Sequence, residues 1–211
     1  AVFLADSSQL YTFPDWETLP YDVFSPHQDI ISQRLRTLYQ LPALKQGLVI
    51  VPVSTLMLRL CEHQHLQTQS LVLSKGQRLD LTSLKRQLTQ VGYRAVDQVM
   101  EHGEFSARGS LLDLYPMGAT VPYRIDFFDN DVDGIRTFDP DNQRSLTQVN
   151  AIELLPAREF PTDAAAIERF RIAYRERFNA RNEKESLYQQ VSQSILPAGI
   201  EYYLPLFTDK T

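Results

Sequence analysis

Apolar positions recur at helical spacing along much of the chain. Ile31, Leu35 and Leu38 form one stripe behind Ser25-Pro26-His27-Gln28. There Ser25 is expected to cap, Pro26 to take the first helical position and Gln28 to complete a capping box. Leu81, Leu84, Leu88 and Val91 form a second stripe, opened by Asp80 and stopped by Gly92. Ile167, Phe170, Tyr174 and Phe178 form a third, behind Pro161-Thr162-Asp163. A further helix is expected from about Lys184 to Ser192, ended by Pro197 and Gly199. Ser54 is expected to cap a short one carrying Leu56, Met57 and Leu60.

Between the stripes the pattern is that of strands. Residues 1–24 mix short apolar runs with Pro14 and Pro20 and read as strand and loop. Leu48 to Val53 is a continuous apolar run after Gly47, the pattern of a parallel strand buried on both faces. From about residue 70 the texture changes. Leu71-Val72-Leu73 predicts a strand ended by Lys75-Gly76, and short strands follow around Arg94–Val99, Ser110–Tyr115, Tyr123–Phe128, Ile135–Phe138 and Ala151–Leu155. Short connections favour antiparallel pairing. The expected class is therefore α/β, interrupted by a small α+β insertion of mixed sheet and helix.

Charge and composition narrow the function. The 211 residues are 43% hydrophobic and 22% charged, enough apolar mass for a packed core. The net charge is −5, and residues 1–69, 70–156 and 157–211 count to −2, −3 and 0, so no segment is a basic arm. Bulk attraction to a phosphate backbone is disfavoured. Cys61 is the single cysteine, which excludes an intramolecular disulfide and a four-thiolate zinc site and suits a reducing cytosol. No apolar run approaches the roughly 18 residues of a membrane span, and no signal peptide is visible. The start at Ala1-Val2-Phe3-Leu4 and the apolar cluster Tyr202 to Phe207 at the other end give the chain the look of an excised piece.

Motifs for catalysis are thin. The eight glycines, at 47, 76, 92, 103, 109, 118, 134 and 199, fit neither a phosphate-binding loop nor Gly-x-Gly-x-x-Gly. Gly109-Ser110 lacks the rest of a nucleophile elbow, while triads and carboxylate pairs that meet only in space stay open. Asp129 to Gly134 matches the first half of a calcium loop, but Pro140 stands where a bidentate Glu is required, so a polar hairpin turn is expected. Cys61, His63 and His65 would share one face of an extended segment and could hold zinc; a solvated interdomain segment is the preferred reading.

Tyr123-Arg124-Ile125-Asp126-Phe127-Phe128 is the most informative stretch. Alternation puts Tyr123, Ile125 and Phe127 on a core face and Arg124, Asp126 and Phe128 on the outer one. Arginine and aromatic side chains anchor protein interfaces. From the residues alone, the favoured reading covers Phe128 with a neighbouring element and pairs Arg124 with Asp126.

Larger blocks carry a family resemblance. They include Asp15 to Asp22, Phe24-Ser25-Pro26-His27, Gly92-Tyr93-Arg94 and Val99 to Phe105. They continue through Arg108 to Pro116, Tyr123 to Phe128, Leu154 to Pro161 and Leu196 to Tyr202. Through these blocks the chain resembles the amino-terminal, UvrB-like region of the bacterial transcription-repair coupling factors. The resemblance implies three parts: residues 1–69 in a degenerate RecA-like domain lacking ATPase motifs, 70–156 in an inserted UvrA-binding domain, and 157–211 at the start of a second α/β domain. It implies a region longer at both ends than this chain, and no room for the damage-binding hairpin of UvrB. It also implies that Arg108, Arg124 and Phe128 contact UvrA, which reverses the covered reading of Phe128. No cofactor is implied here: ATP, magnesium, RNA polymerase and DNA belong to other parts of the parent, a cytoplasmic DNA translocase. Other domains of that parent are implied to restrain the same face.

Overall fold

The computed structural model describes residues 10–20, 22–178 and 187–208. The expectations placed on Ala1 to Leu4, Tyr21 and the first residues of the Lys184 helix lie outside them. Among the described residues the fold is mixed α/β, with two two-stranded sheets and one six-stranded sheet.

Strand β1 (Leu10–Thr12) pairs parallel with β2 (Leu48–Ile50), joined by a crossover through helix α1 (Gln28–Gln40). Helix α1 buries its expected stripe, Ile31, Leu35 and Leu38. Its cap differs from expectation. His27 is the capping residue, its Nδ1 accepting from the Asp29 amide at 3.3 Å. Ser25 is drawn away instead, donating to Glu201 Oε2 at 3.0 Å and accepting the Gly199 amide at 3.2 Å. Gly199 sits at φ +79, and a β-carbon there would lie 2.6 Å from the Asp22 carbonyl oxygen, so only glycine allows this approach. The expectation for Leu48 to Val53 is corrected too. The strand is parallel but three residues long, and Leu48 and Ile50 are half exposed because no layer of described residues covers that face. Helix α2 is only Val53–Leu56, leaving Leu60 outside it, and its cap position is Pro52 rather than Ser54. The Ser54 hydroxyl instead donates to Asp15.

Helix α3 (His63–Gln69) replaces the extended segment expected at Cys61, His63 and His65. Cys61 is buried, its thiol pushed up by desolvation, and His65 Nε2 faces the Arg158 carbonyl at 3.4 Å. The segment is thus packed at Cys61 and Leu66 and half-buried at His65, while Glu62, His63 and Gln64 stay exposed. Strand β3 (Leu71–Ser74) follows, then α4 (Leu81–Gln90), capped by Asp80 accepting from the Ser83 amide at 2.7 Å, as its sequence predicts.

The large sheet runs in the order β4 (Arg94–Ala95), β5 (Glu104–Arg108), β6 (Leu111–Leu114), β7 (Tyr123–Phe128), β8 (Asp131–Phe138), β9 (Ser145–Val149). Strand β4 is shorter than the Arg94–Val99 expected and pairs parallel to β5; the other pairs are antiparallel. Strands β5 and β9 have no counterpart in the sequence reading. Strand β10 (Ala151–Leu154) returns to pair with β3, so the sheet is entered and left through adjacent strands.

One core cluster runs from Phe13 and Trp16 through α1, α4 and the inner face of the sheet to Ala157. A second gathers Phe160, Phe170, Val191, Ile200, Leu204 and Phe207, with the Phe170 and Phe207 rings stacked at 4.8 Å. It lies between α5 (Ala164–Arg177), α6 (Leu187–Ser192) and a 3-10 segment, Ile200–Leu206. Arg34 of α1, fully buried, joins the two halves through Glu159.

Candidate partner-binding face

The alternation of β7 is realised in full. Ile125 and Phe127 point into the core, Tyr123 is partly buried with them, and Arg124, Asp126 and Phe128 face outward. Two hairpins bring the rest of the face together. Arg108 of β5 lies opposite Leu111 across the two-residue turn Gly109-Ser110, and Gly109 supplies the φ of +61 that the turn needs. Phe128 lies opposite Asp131 across Asp129-Asn130, with Asp129 at φ +53. Asp129 to Gly134 is thus the expected hairpin. The pairing shifts register between Asp126 and Phe127, where β8 carries an extra residue, so β7 keeps its in-and-out order to Phe128.

Pairing places Asp113, Arg124 and Arg136 in one row across β6, β7 and β8. Arg108, Leu111 and Asp126 form the next row toward the hairpin end, and Phe128 stands beyond it. All three residues named from the sequence therefore sit on one face, with Arg108 at the hairpin end of β5, Phe128 at the hairpin end of β7 and Arg124 near the other end of β7. Their surroundings differ. The Phe128 ring is 71% exposed, so no neighbouring element covers it. Arg124 does not pair with Asp126. Its Nε and Nη2 donate to Asp113 Oδ1 and Oδ2 at 2.7 and 2.8 Å. Asp113 is opposite Arg124 in register, whereas Asp126 is two residues along the same strand and accepts from Arg136, whose Nη2 lies 2.6 Å from Asp126 Oδ2. Arg124 Nη1 donates to the Gln143 carbonyl at 3.2 Å, and the guanidinium lies 5.0 Å over the Phe138 ring. Asp113's hydrogen bond holds the Arg124 pKa above its usual value.

Arg108 makes one bond, Nη2 to Asp113 Oδ2 at 3.1 Å, and its side chain is 59% exposed. It has donors to spare at the surface, whereas Arg136, bonded to Asp126 through Nη2, keeps a buried Nε without a hydrogen-bond partner. Sequence reasoning missed Asp113 and Arg136. The signal for Asp113 was present: a lone carboxylate inside Leu111-Leu112-Asp113-Leu114 must find a partner once its neighbours are buried.

A cavity of about 760 Å³ lies elsewhere, between α4, α5 and Arg158. His65 borders it, with its pKa lowered by burial. None of the face residues lines it.

A small sheet domain that presents a fixed arginine and a bare aromatic on its outer face has the makings of a protein-docking module. Residues 71–160 match the family model of the UvrB interaction domain. The whole chain is similar to transcription-repair-coupling factors, which bears out the resemblance drawn from its sequence blocks. It is 62% identical over 193 residues to that of Escherichia coli (strain K12), covering 92% of this chain and 17% of the relative. To that of Haemophilus influenzae it is 55% identical over 202 residues, covering 95% and 18%. To that of Rickettsia bellii it is 30% identical over 210 residues, covering 99% and 19%. The chain thus spans less than a fifth of the length of these relatives, which are proteins of transcription-coupled DNA repair by name.

Proposed function

We propose that this chain is a non-catalytic adaptor in transcription-coupled nucleotide excision repair. It recruits UvrA, through Arg108, Arg124 and Phe128, to a stalled RNA polymerase. On this reading residues 1–69 belong to a RecA-like domain without ATPase motifs, 70–156 form the inserted UvrA-binding domain, and 157–211 begin a second α/β domain. ATP- and magnesium-driven translocation, DNA and polymerase contacts belong to the rest of a cytoplasmic parent, whose other domains cover the face until polymerase is engaged.

The observation that carries the reading is the bare Phe128 ring on the same face as a tethered Arg108 with free donors, inside the residues matching the UvrB interaction domain. The alternative is a UvrB-like module that touches damaged DNA directly. It has less support, because Arg108 and Arg124 share Asp113 and Arg136 has Asp126, so the face offers little free positive charge for phosphates. Titrations of UvrA and of damaged duplex DNA into the chain decide between them. Tight UvrA binding with weak, salt-sensitive DNA binding is expected; the reverse order sinks the adaptor reading. Equal UvrA affinity for this chain and for the intact parent would remove the masking.

The glycine spacing leads to a second expected result. Millimolar ATP with magnesium should leave the melting temperature unchanged, since a ligand of the native state must raise it. A nucleotide-dependent rise would show a binding site that the sequence pattern hides.

A further inference from the structure

The geometry points to Asp113 as the positioning residue of the partner-binding face: its buried carboxylate, gripped by Arg124, aims the free donors of Arg108. This rests on the UvrA reading above and deepens it.

Asp113 is 3% exposed and is flanked by Leu112 and Leu114, both fully buried. A carboxylate in such a place is costly unless its oxygens are satisfied. Three guanidinium bonds satisfy them. Oδ1 takes Arg124 Nε, and Oδ2 takes both Arg124 Nη2 and Arg108 Nη2. The register explains the division of labour. Arg124 stands directly opposite Asp113 and grips it as a two-pronged fork. Ser106 is the residue opposite Asp113 on β5, so Arg108, two positions on, reaches it along the diagonal.

The two arginines therefore differ in what they have left. Arg124 is 16% exposed, with donors committed to Asp113, to the Gln143 carbonyl and, at 3.5 Å, to Ser145 Oγ. It also holds the loop that leads into β9. Arg108 uses one nitrogen and turns the rest of its fork to solvent. Tethering one end of a long side chain reduces the freedom it loses on binding. Arg136 and Asp126 form a separate pair on the same face and do not touch Asp113.

The inference sets the sign of a substitution. Asp113→Asn keeps the shape and makes the face one charge more positive. Attraction of an acidic partner by bulk charge would then tighten binding, whereas loss of the tether weakens it. The test titrates UvrA into the chain carrying Asp113→Asn, Arg108→Ala, Phe128→Ala and their pairs, with melting curves for each. Asp113→Asn is expected to weaken UvrA binding about tenfold, the scale of one long side chain freed. Asp113→Asn with Arg108→Ala should bind no worse than Arg108→Ala alone, while Asp113→Asn and Phe128→Ala should multiply. Asp113→Glu, which keeps the charge but shifts the carboxylate, should also weaken binding. Unchanged or tighter binding in a folded Asp113→Asn chain, or losses that multiply with Arg108→Ala, overturns the inference and leaves the adaptor reading standing. Absence of UvrA binding by the unsubstituted chain overturns the adaptor reading itself. If neither variant folds, side-chain NMR of Arg108 in the unsubstituted chain decides: an ordered Nε–H supports the tether, and a freely moving one overturns it.

Discussion

Replacing Arg34 with alanine is expected to cost about 3–5 kcal/mol of stability, because it leaves a buried carboxylate without its partner. Arg34 is fully buried on α1, and its Nε and Nη2 reach Glu159 Oε1 and Oε2 at 2.5 and 3.0 Å. Its Nη1 donates to the Pro14 carbonyl at 2.7 Å, and Trp16 Nε1 donates to Glu159 at 3.4 Å. The guanidinium also lies 4.2 Å over the Phe13 ring. With the arginine gone, Glu159 keeps only the long bond from Trp16, in a site where its side chain is 1% exposed. Urea denaturation should show an earlier midpoint with an unchanged slope, the mark of lost stability rather than altered compactness. The double change Arg34→Met with Glu159→Leu should cost far less than the two alanine losses added, since it removes both charges together. A loss under about 1 kcal/mol for Arg34→Ala would mean that the site is well hydrated in solution.

The three residues of the proposed UvrA face should part company on substitution. Phe128→Ala and Arg108→Ala are each expected to weaken UvrA binding by about 2 kcal/mol, roughly thirtyfold, with little change in melting temperature. Both side chains are mostly exposed, so truncation opens no cavity. Arg124→Ala should weaken binding and lower the melting temperature together. It strips the fork from Asp113, which Arg108 alone cannot satisfy, and frees the loop held at Gln143. Titration calorimetry beside thermal melts separates the cases. If Arg124→Ala weakens binding at unchanged stability, Arg124 touches the partner directly, as the resemblance implies. If Phe128→Ala binds normally, the exposed ring is not an anchor.

How much of this was legible beforehand varies by element. Helix α4 was readable because its determinants are local: Asp80 accepts the Ser83 amide three residues on, and Leu84 and Leu88 share a face by periodicity. Helix α5 was readable for the same reason, with Asp163 capping through Ala166. The start of α1 was misread although Ser25 is a good cap, because its hydroxyl has a stronger claim from Glu201, 176 residues away. Strands β5 and β9 were not seen. Strand β5 is buried at Glu104, Phe105 and Ser106 in a row and so does not alternate, while Ser145 to Gln148 of β9 is exposed throughout. Their strand character comes from the neighbours they pair with.

The candidate face divides along the same line. The sequence by itself determined that Arg124, Asp126 and Phe128 share the outer side of one strand, that a polar hairpin turn follows it, and that the chain resembles the coupling factors. Those follow from alternation, turn chemistry and matching blocks, all of which act within a few residues. Only the tertiary structure decided that Arg124 answers to Asp113 and not to Asp126, that Phe128 stays bare, and that Arg34 finds Glu159 across 125 residues. Charge partners and burial are set by which strands lie side by side and which surfaces meet. A lone arginine or aspartate in an apolar run announces that a partner is needed, but pairing across the fold chooses it.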